Sequence, residues 1–223
     1  EFSRRIKRKE LLQVAKETLS NNDAGRYTVP SEHLYPHMWA WDSAFAAMGW
    51  AHINMSRAQS ELELLMKNSW PNGMVPHITF DDRFLKEYFP GPEVWGHSSS
   101  STISQPPVWA IALEYLIEKG ADKNWAKSLI PYIEKSHHFF AKHRDPKGIN
   151  LVSIAHPWES GMDNCVAWDK PLQNVSTKIC NELKRIDNKK ITDSSQRPSD
   201  NEYRKYIKIV EELREESNDA PKS

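Results

Sequence analysis

Apolar residues recurring at every third or fourth position dominate this chain and strict alternation is scarce, so its core is expected to come from packed helices. Ile6, Leu11, Val14, Ala15 and Leu19 share a broad stripe of a helix predicted over residues 5–19, and residues 43–66 carry a second long periodicity with few breakers. Pro107 is placed to open the helix PVWAIALEYLIEKG, which Gly120 ends. Pro131 is similarly placed to open PYIEKSHHFFAKHRD, ending near Pro146 and Gly148. Residues 172–198 are polar. Beyond them NEYRKYIKIVEELREESND predicts an amphipathic helix with Tyr203, Tyr206, Ile207, Val210 and Leu213 on one face, which needs a partner surface.

The connections are long and rich in Pro, Gly, Ser and Trp: YTVPSEHLYPHMW, NSWPNGMVPHITFDDRF, YFPGPEVWGHSSSSTISQPP and HPWESGMDN. Loops of that length in a helical domain usually carry function. The chain has 9 tryptophans, and such rings fill cores but also form platforms for sugars, whose C–H faces pack on an indole while their hydroxyls bond at its edge.

Charge narrows the partners. Thirty Lys and Arg balance 30 Asp and Glu, leaving no basic field to concentrate nucleic acid or an anionic membrane, so a small ligand is expected. No apolar run approaches the roughly 20 residues that span a bilayer. The basic start, EFSRRIKRKELLQVAKETL, reads as an amphipathic helix without a signal-peptide core, and a soluble, cytoplasmic protein is expected. Cys165 and Cys180 are too few for a disulfide framework or a thiolate zinc site. The chain begins at Glu1 rather than Met, which points to a piece of a longer protein.

Four groups of residues are candidates for chemistry. HRDPKGIN, at 143–150, has the spacing of a kinase catalytic loop, but no glycine-rich phosphate loop or metal-binding D-F-G accompanies it, and Pro146–Gly148 reads as the turn after a helix. Asp81, Asp82 and Glu87 lack the second acidic cluster that a diphosphate site requires and read as solvated loop acids. The 9 histidines include no H-E-x-x-H and no zinc-spaced Cys/His pairs, so packing or surface roles are expected. The fourth group joins tryptophan-rich loops to acids: MWAWDSAF at 38–45, SQPP at 104–107 and HPWESGMDN at 156–164. Glycosidic cleavage needs one protonated carboxyl for the leaving oxygen and one carboxylate acting on water or carbon. Aromatic neighbours hold the sugar and, by lowering local polarity, keep the acid protonated near neutrality. The competing reading makes Trp39, Trp41 and Trp158 core residues and Asp42 and Asp163 helix caps, Asp42 directly preceding SAFAAMGW. Spacing alone does not choose between Glu159 and Asp163.

YPHMWAWDSAF, FPGP at 89–92, SQPP, and HPWESGMDN followed by AWD at 167–169 resemble glycoside hydrolase family 63, and within it the mannosylglycerate and glucosylglycerate hydrolase branch. The match runs over residues 35–169, and QRPSDNEYRKYIKIVEEL resembles the segment that follows in this branch. The resemblance implies an all-α fold, an (α/α)6 barrel present as about its first half. It implies a single partial catalytic domain, with motif-bearing hairpins over 1–170 and a polar segment plus amphipathic helix over 171–223. It implies inverting hydrolysis of an α-glycosidic bond in a small carbohydrate substrate, with no cofactor and no metal. Asp163 matches the family's general acid, and Glu159 a glutamate that shapes the site. Trp39, Trp41 and Asp42 match the wall around the non-reducing sugar, Gln105 and Trp158 match further substrate contacts, and Tyr88 falls in the loop that closes over the substrate.

The family's general base is a glutamate near the end of the barrel, beyond Ser223. Glu182, Glu202, Glu211 and Glu212 lie in polar or helical contexts unlike its loop. An inverting pair stands roughly 6.5–9.5 Å apart to admit water. The alternative is therefore a carbohydrate-binding chain without that base, or an inert fragment. A half-barrel would expose inner helix faces, so a homo-oligomer or dependence on the missing half is expected.

Overall fold

The computed structural model describes residues 8–31, 33–177, 183–193, 195 and 197–216. Ile6, Cys180 and Glu182 lie outside them. In order, the elements are α1 (Arg8–Asn21), β1 (Met38–Trp39), α2 (Ala40–Trp50), α3 (Met55–Lys67), β2 (Ile78–Thr79), α4 (Pro92–Trp95), α5 (Trp109–Glu118), α6 (Lys123–His143), α7 (Asp169–Gln173), α8 (Asp187–Lys190) and α9 (Asp200–Glu216). The 3-10 turns Asp82–Glu87, Pro157–Ser160 and Val166–Trp168 lie in the connections.

Helices α2, α3, α5 and α6 form the main core. Ala44, Ala47 and Ala58 keep the helix backbones close, and Leu62, Leu65, Trp109, Leu116 and Leu129 fill the space between them. Full burial of each such large side chain contributes about 1.5–3 kcal/mol. The Trp109 indole N–H finds the Ser136 hydroxyl at 2.8 Å, so this buried ring leaves no donor unsatisfied.

The structure corrects two helix boundaries. The periodicity over 43–66 is two helices, because the Asn54 side chain caps α3 by accepting the Arg57 N–H at 3.1 Å and folds the run into an α2–α3 hairpin. Pro131 does not open a helix but lies inside α6, which starts where Asp122 accepts the Trp125 N–H at 2.7 Å. Pro131 is exposed, while Ala126, Leu129, Ile133, Ser136 and Phe139 form one buried stripe on both sides of it. Burial of that stripe outweighs the roughly 3 kcal/mol a helical proline costs. The end of α5 follows expectation: Gly120, at φ 97, sends its N–H to Ile117, and Ala121 reaches back to Leu116.

The stripe of α1 is a third correction. Leu11, Val14 and Ala15 are exposed, and Leu19 alone of the described stripe packs on the core, because only the end of α1 reaches α2. The apolar face of α9, by contrast, finds its partner within the chain. Val210 and Leu213 join Trp39, Ile78, Phe80, Trp95 and Ile103 in a second core, and α9 packs against α4. Arg214 fastens that contact by donating to the Val94 carbonyl at 2.6 Å. No described helix is long and apolar enough to cross a membrane.

Candidate active site

The loop HPWESGMDN is shaped from within. The His156 ring accepts the Trp158 N–H at 3.0 Å and starts the turn Pro157–Ser160, which Gly161 ends at φ 66. A Cβ on Gly161 would collide with the Trp41 indole, so only glycine lets the loop lie on the start of α2. Glu159 is 5% exposed and turns inward. Its carboxylate accepts a forked pair from Arg144, the closest contact at 2.6 Å, together with the Ser104 N–H at 3.2 Å and the Ala155 N–H at 2.9 Å. HRDPKGIN is thus more than a turn, because its arginine ties the acid-bearing loop to the end of α6.

Asp163 faces a cavity of about 70 Å³. It is half-buried, and burial raises its pKa above the usual carboxylate range, against an opposing pull from Arg197. Of the residues expected at the site, Trp39, Tyr88, Gln105 and Trp158 line the same cavity. The β1–β2 pairing, with Trp39 opposite Ile78, fixes the first of them. Trp39 packs edge-on against Tyr88 with centroids 5.2 Å apart. Trp41 and Asp42 do not line it but adjoin it, since the Gln105 side chain accepts the Trp41 N–H at 3.1 Å. Glu159 lies behind the wall.

Tyr35, His77, Arg197 and Tyr203 also line the cavity and were not among the expected site residues, Tyr203 having been expected only on the apolar face of the last helix. Tyr35 sits at the head of YPHMWAWDSAF, and Arg197 in the polar stretch before α9, where one more arginine carries no local signal. His77 stacks on Trp158 at 6.2 Å, its Nδ1 2.6 Å from the Ser101 hydroxyl. Arg197 sends Nε to Asp187 at 2.9 Å and Nη1 to Tyr35 at 2.8 Å, and its Nη2 donors have no partner among the described residues. A second cavity, of about 230 Å³, shares Asp163 and Arg197 and adds Cys165, Trp168 and Glu202. Glu202 accepts the Ser199 N–H and hydroxyl, both at 2.7 Å, while Glu211 and Glu212 pair with Lys208, so the described downstream glutamates are held in helix-local contacts. Asp81 is likewise not a free loop acid: it caps the turn Asp82–Glu87 and pairs with Arg83.

Asp42 does not cap α2. The N-cap is Trp39, and Asp42 lies two residues inside the helix. Burial pushes its carboxyl up to about 6, with its own N–H and the Trp41 side chain pulling the other way. A raised carboxyl binds more protons folded than unfolded between pH about 4 and 6, so this group makes stability fall as pH rises through that window. The buried His37 and His156, each lowered to about 4, act with the opposite sign. Asp42→Asn should therefore flatten the falling component: the stability gap between variant and parent, measured by urea unfolding at pH 4, 5, 6 and 7, is expected to shift in the variant's favour with pH.

A carboxyl whose pKa burial raises, set among aromatic rings on a helical frame, is the equipment of acid-assisted glycosidic cleavage. The chain belongs to the mannosylglycerate hydrolase MGH1-like glycoside hydrolase domain family, whose model matches residues 35–222. It is 42% identical over 206 residues to the mannosylglycerate hydrolase of Thermus thermophilus, covering 88% of this chain and 49% of that one. To the glucosylglycerate hydrolase of Mycolicibacterium hassiacum it is 38% identical over 220 residues, covering 88% and 48%. The crystal structure of a family 63 mannosylglycerate hydrolase from Thermus thermophilus in complex with Tris and D-glycerate matches with a TM-score of 0.87 at 41% identity, over 92% of this chain and 50% of that one. The chain spans about half the length of the curated relatives it matches, in keeping with a partial helical barrel.

Proposed function

We propose that this chain is the acid-bearing part of an inverting glycoside hydrolase that cleaves a small, anionic α-glycoside of the mannosylglycerate or glucosylglycerate type. Asp163 is the general acid, protonating the leaving oxygen, and Trp41 and Asp42 border the sugar, Asp42 bonding its hydroxyls. The observation that carries this reading is the placement of Asp163 and Arg197 on one cavity of about 70 Å³. The cavity is small, and the aglycone is the shorter part of such a substrate. The free Nη2 edge of Arg197 suits a carboxylate there. The sugar then lies outward, toward Trp41 and Asp42, and the bond to be cleaved falls beside Asp163.

Trp39 joins Trp41 and Asp42 in walling the sugar, Tyr88, Gln105 and Trp158 make further substrate contacts, and Glu159 holds the loop. The general base comes from a segment equivalent to the remainder of the relatives' length. Phe45 and Ile111 are 51% and 58% exposed on α2 and α5, and Leu151 and Val152 are 68% and 58% exposed in the stretch before HPWESGMDN, apolar side chains that such a segment or a second copy would cover.

The test is release of free hexose from mannosylglycerate and glucosylglycerate by a polypeptide spanning the relatives' full length, against a neutral α-glucoside. Turnover of the charged glycosides is expected; no turnover of either sinks the reading. The 223-residue chain alone is expected to bind and not to turn over. Turnover by it would place the base within this chain.

A further inference from the structure

Helix α9 does more than close the second core, because one of its residues grips HPWESGMDN near both ends and in the middle. Residues 199–202 form a capping box: Glu202 accepts the Ser199 N–H at 2.7 Å, and the Ser199 hydroxyl accepts the Glu202 N–H at 3.3 Å. The start of α9 is thereby fixed, and Tyr206 follows in its second turn. Three contacts converge on this tyrosine. Its carbonyl accepts His156 Nε2 at 3.0 Å, which sets the tautomer, since Nδ1 of the same ring accepts the Trp158 N–H. Its ring meets Trp158 and His156 edge-on, with centroids 5.5 Å and 5.8 Å away. Its hydroxyl donates to the Asp163 carbonyl at 3.2 Å. Burial pushes the phenol up to about 12, with Glu202 adding to the shift, so it keeps the proton it donates. Among the described residues this is the one hydrogen bond that joins Asp163 to another residue.

We infer that Tyr206 is a positioning residue for the general acid: it fixes the peptide plane at Asp163 and so the direction in which the carboxyl leaves the backbone. The inference rests on the role proposed above for Asp163. Met162 and Val166 are exposed, so packing does not hold this end of the loop. Arg144 fastens the loop at Glu159, but Gly161 lies between that anchor and Asp163 and lets the chain turn. Proton donation needs the carboxyl within hydrogen-bond reach of the leaving oxygen, and a small displacement there is costly. Tyr206 lines the second cavity and not the one of about 70 Å³, so it acts through Asp163 and leaves the other site contacts alone.

Tyr206→Phe removes the hydroxyl and keeps the ring and the helix carbonyl. In the polypeptide spanning the relatives' full length, kcat for hexose release from mannosylglycerate or glucosylglycerate is expected to fall about 10- to 10²-fold, with KM within about twofold. The alkaline limb of the pH profile should persist, because Asp163 still gives the proton. Placing 4-aminophenylalanine at position 206 returns a donor and should restore kcat, which a packing defect alone would not allow. In the 223-residue chain carrying Tyr206→Phe, amide exchange over residues 161–168 should quicken about fivefold, the share of one hydrogen bond in a local opening, with α5 and α6 unchanged. A kcat within about twofold of the parent, a loss carried by KM, no rescue, or unchanged exchange overturns the inference and leaves the role of Asp163 intact. Loss of the alkaline limb would make the phenol itself the proton donor and overturn both. A parent that releases no hexose also overturns both. If Tyr206→Phe does not fold, 4-fluorophenylalanine, which fills the space of the hydroxyl without a donor, takes its place under the same criteria.

Discussion

Asp163→Asn is expected to lower hexose release from mannosylglycerate or glucosylglycerate by about 10²–10⁴, the usual contribution of general acid–base catalysis. The substitution keeps the shape and polarity of the side chain but removes the proton that the leaving oxygen needs. Trp158, Tyr88 and Gln105 are untouched, so substrate affinity should change little and the loss should appear in kcat. Burial raises the Asp163 carboxyl, and in the proposed mechanism its loss of a proton is expected to form the alkaline limb of the parent's pH profile. That limb should vanish in the variant. A rate within a few-fold of the parent would remove Asp163 from the role, leaving Asp42, whose carboxyl burial also raises, to be tested next.

Arg144→Met should cost about 3–5 kcal/mol of folding stability, the range for breaking a buried ion pair from one side. The Arg144 and Glu159 side chains are 13% and 4% exposed, and the methionine leaves a buried carboxylate with two backbone N–H groups but no countercharge. Adding Glu159→Gln should return part of that loss, because it removes the uncompensated buried charge, while its single amide oxygen keeps an acceptor for only one of the two backbone donors, Ser104 or Ala155. Urea unfolding of the two singles and the double closes the cycle. A single-variant cost under about 1 kcal/mol would show that the pair does not hold this loop. Glu159 thus has a stability signature and Asp163 a rate signature.

Part of the fold was legible because its signals are local. Gly120 ends its helix through a bond to a residue three positions away, and Tyr203, Tyr206, Ile207 and Val210 mark one face of α9 by spacing alone, whereas the equally local caps Asn54 and Asp122 were overlooked. The misplaced boundaries have a common cause. A hairpin between two apolar helices keeps the periodicity on both sides, and a proline on a solvent-facing position survives inside a helix that buries its other face. The aromatic and acidic loops were equally readable, since their residue types and order match the family whose model covers residues 35–222.

By itself, then, the sequence determined a helical chain, the loops that carry its chemistry, and the family to which those loops belong. Only the tertiary structure decided which acid faces the cavity. Glu159 turns away because Arg144, 15 positions earlier, captures it, and Asp163 meets Arg197 because α9 folds back and brings that arginine to Tyr35, 162 positions away. Periodicity, caps and turns are set within a few residues, whereas the burial that raises a carboxyl's pKa and the guanidinium that would read an anion are created by packing between distant segments.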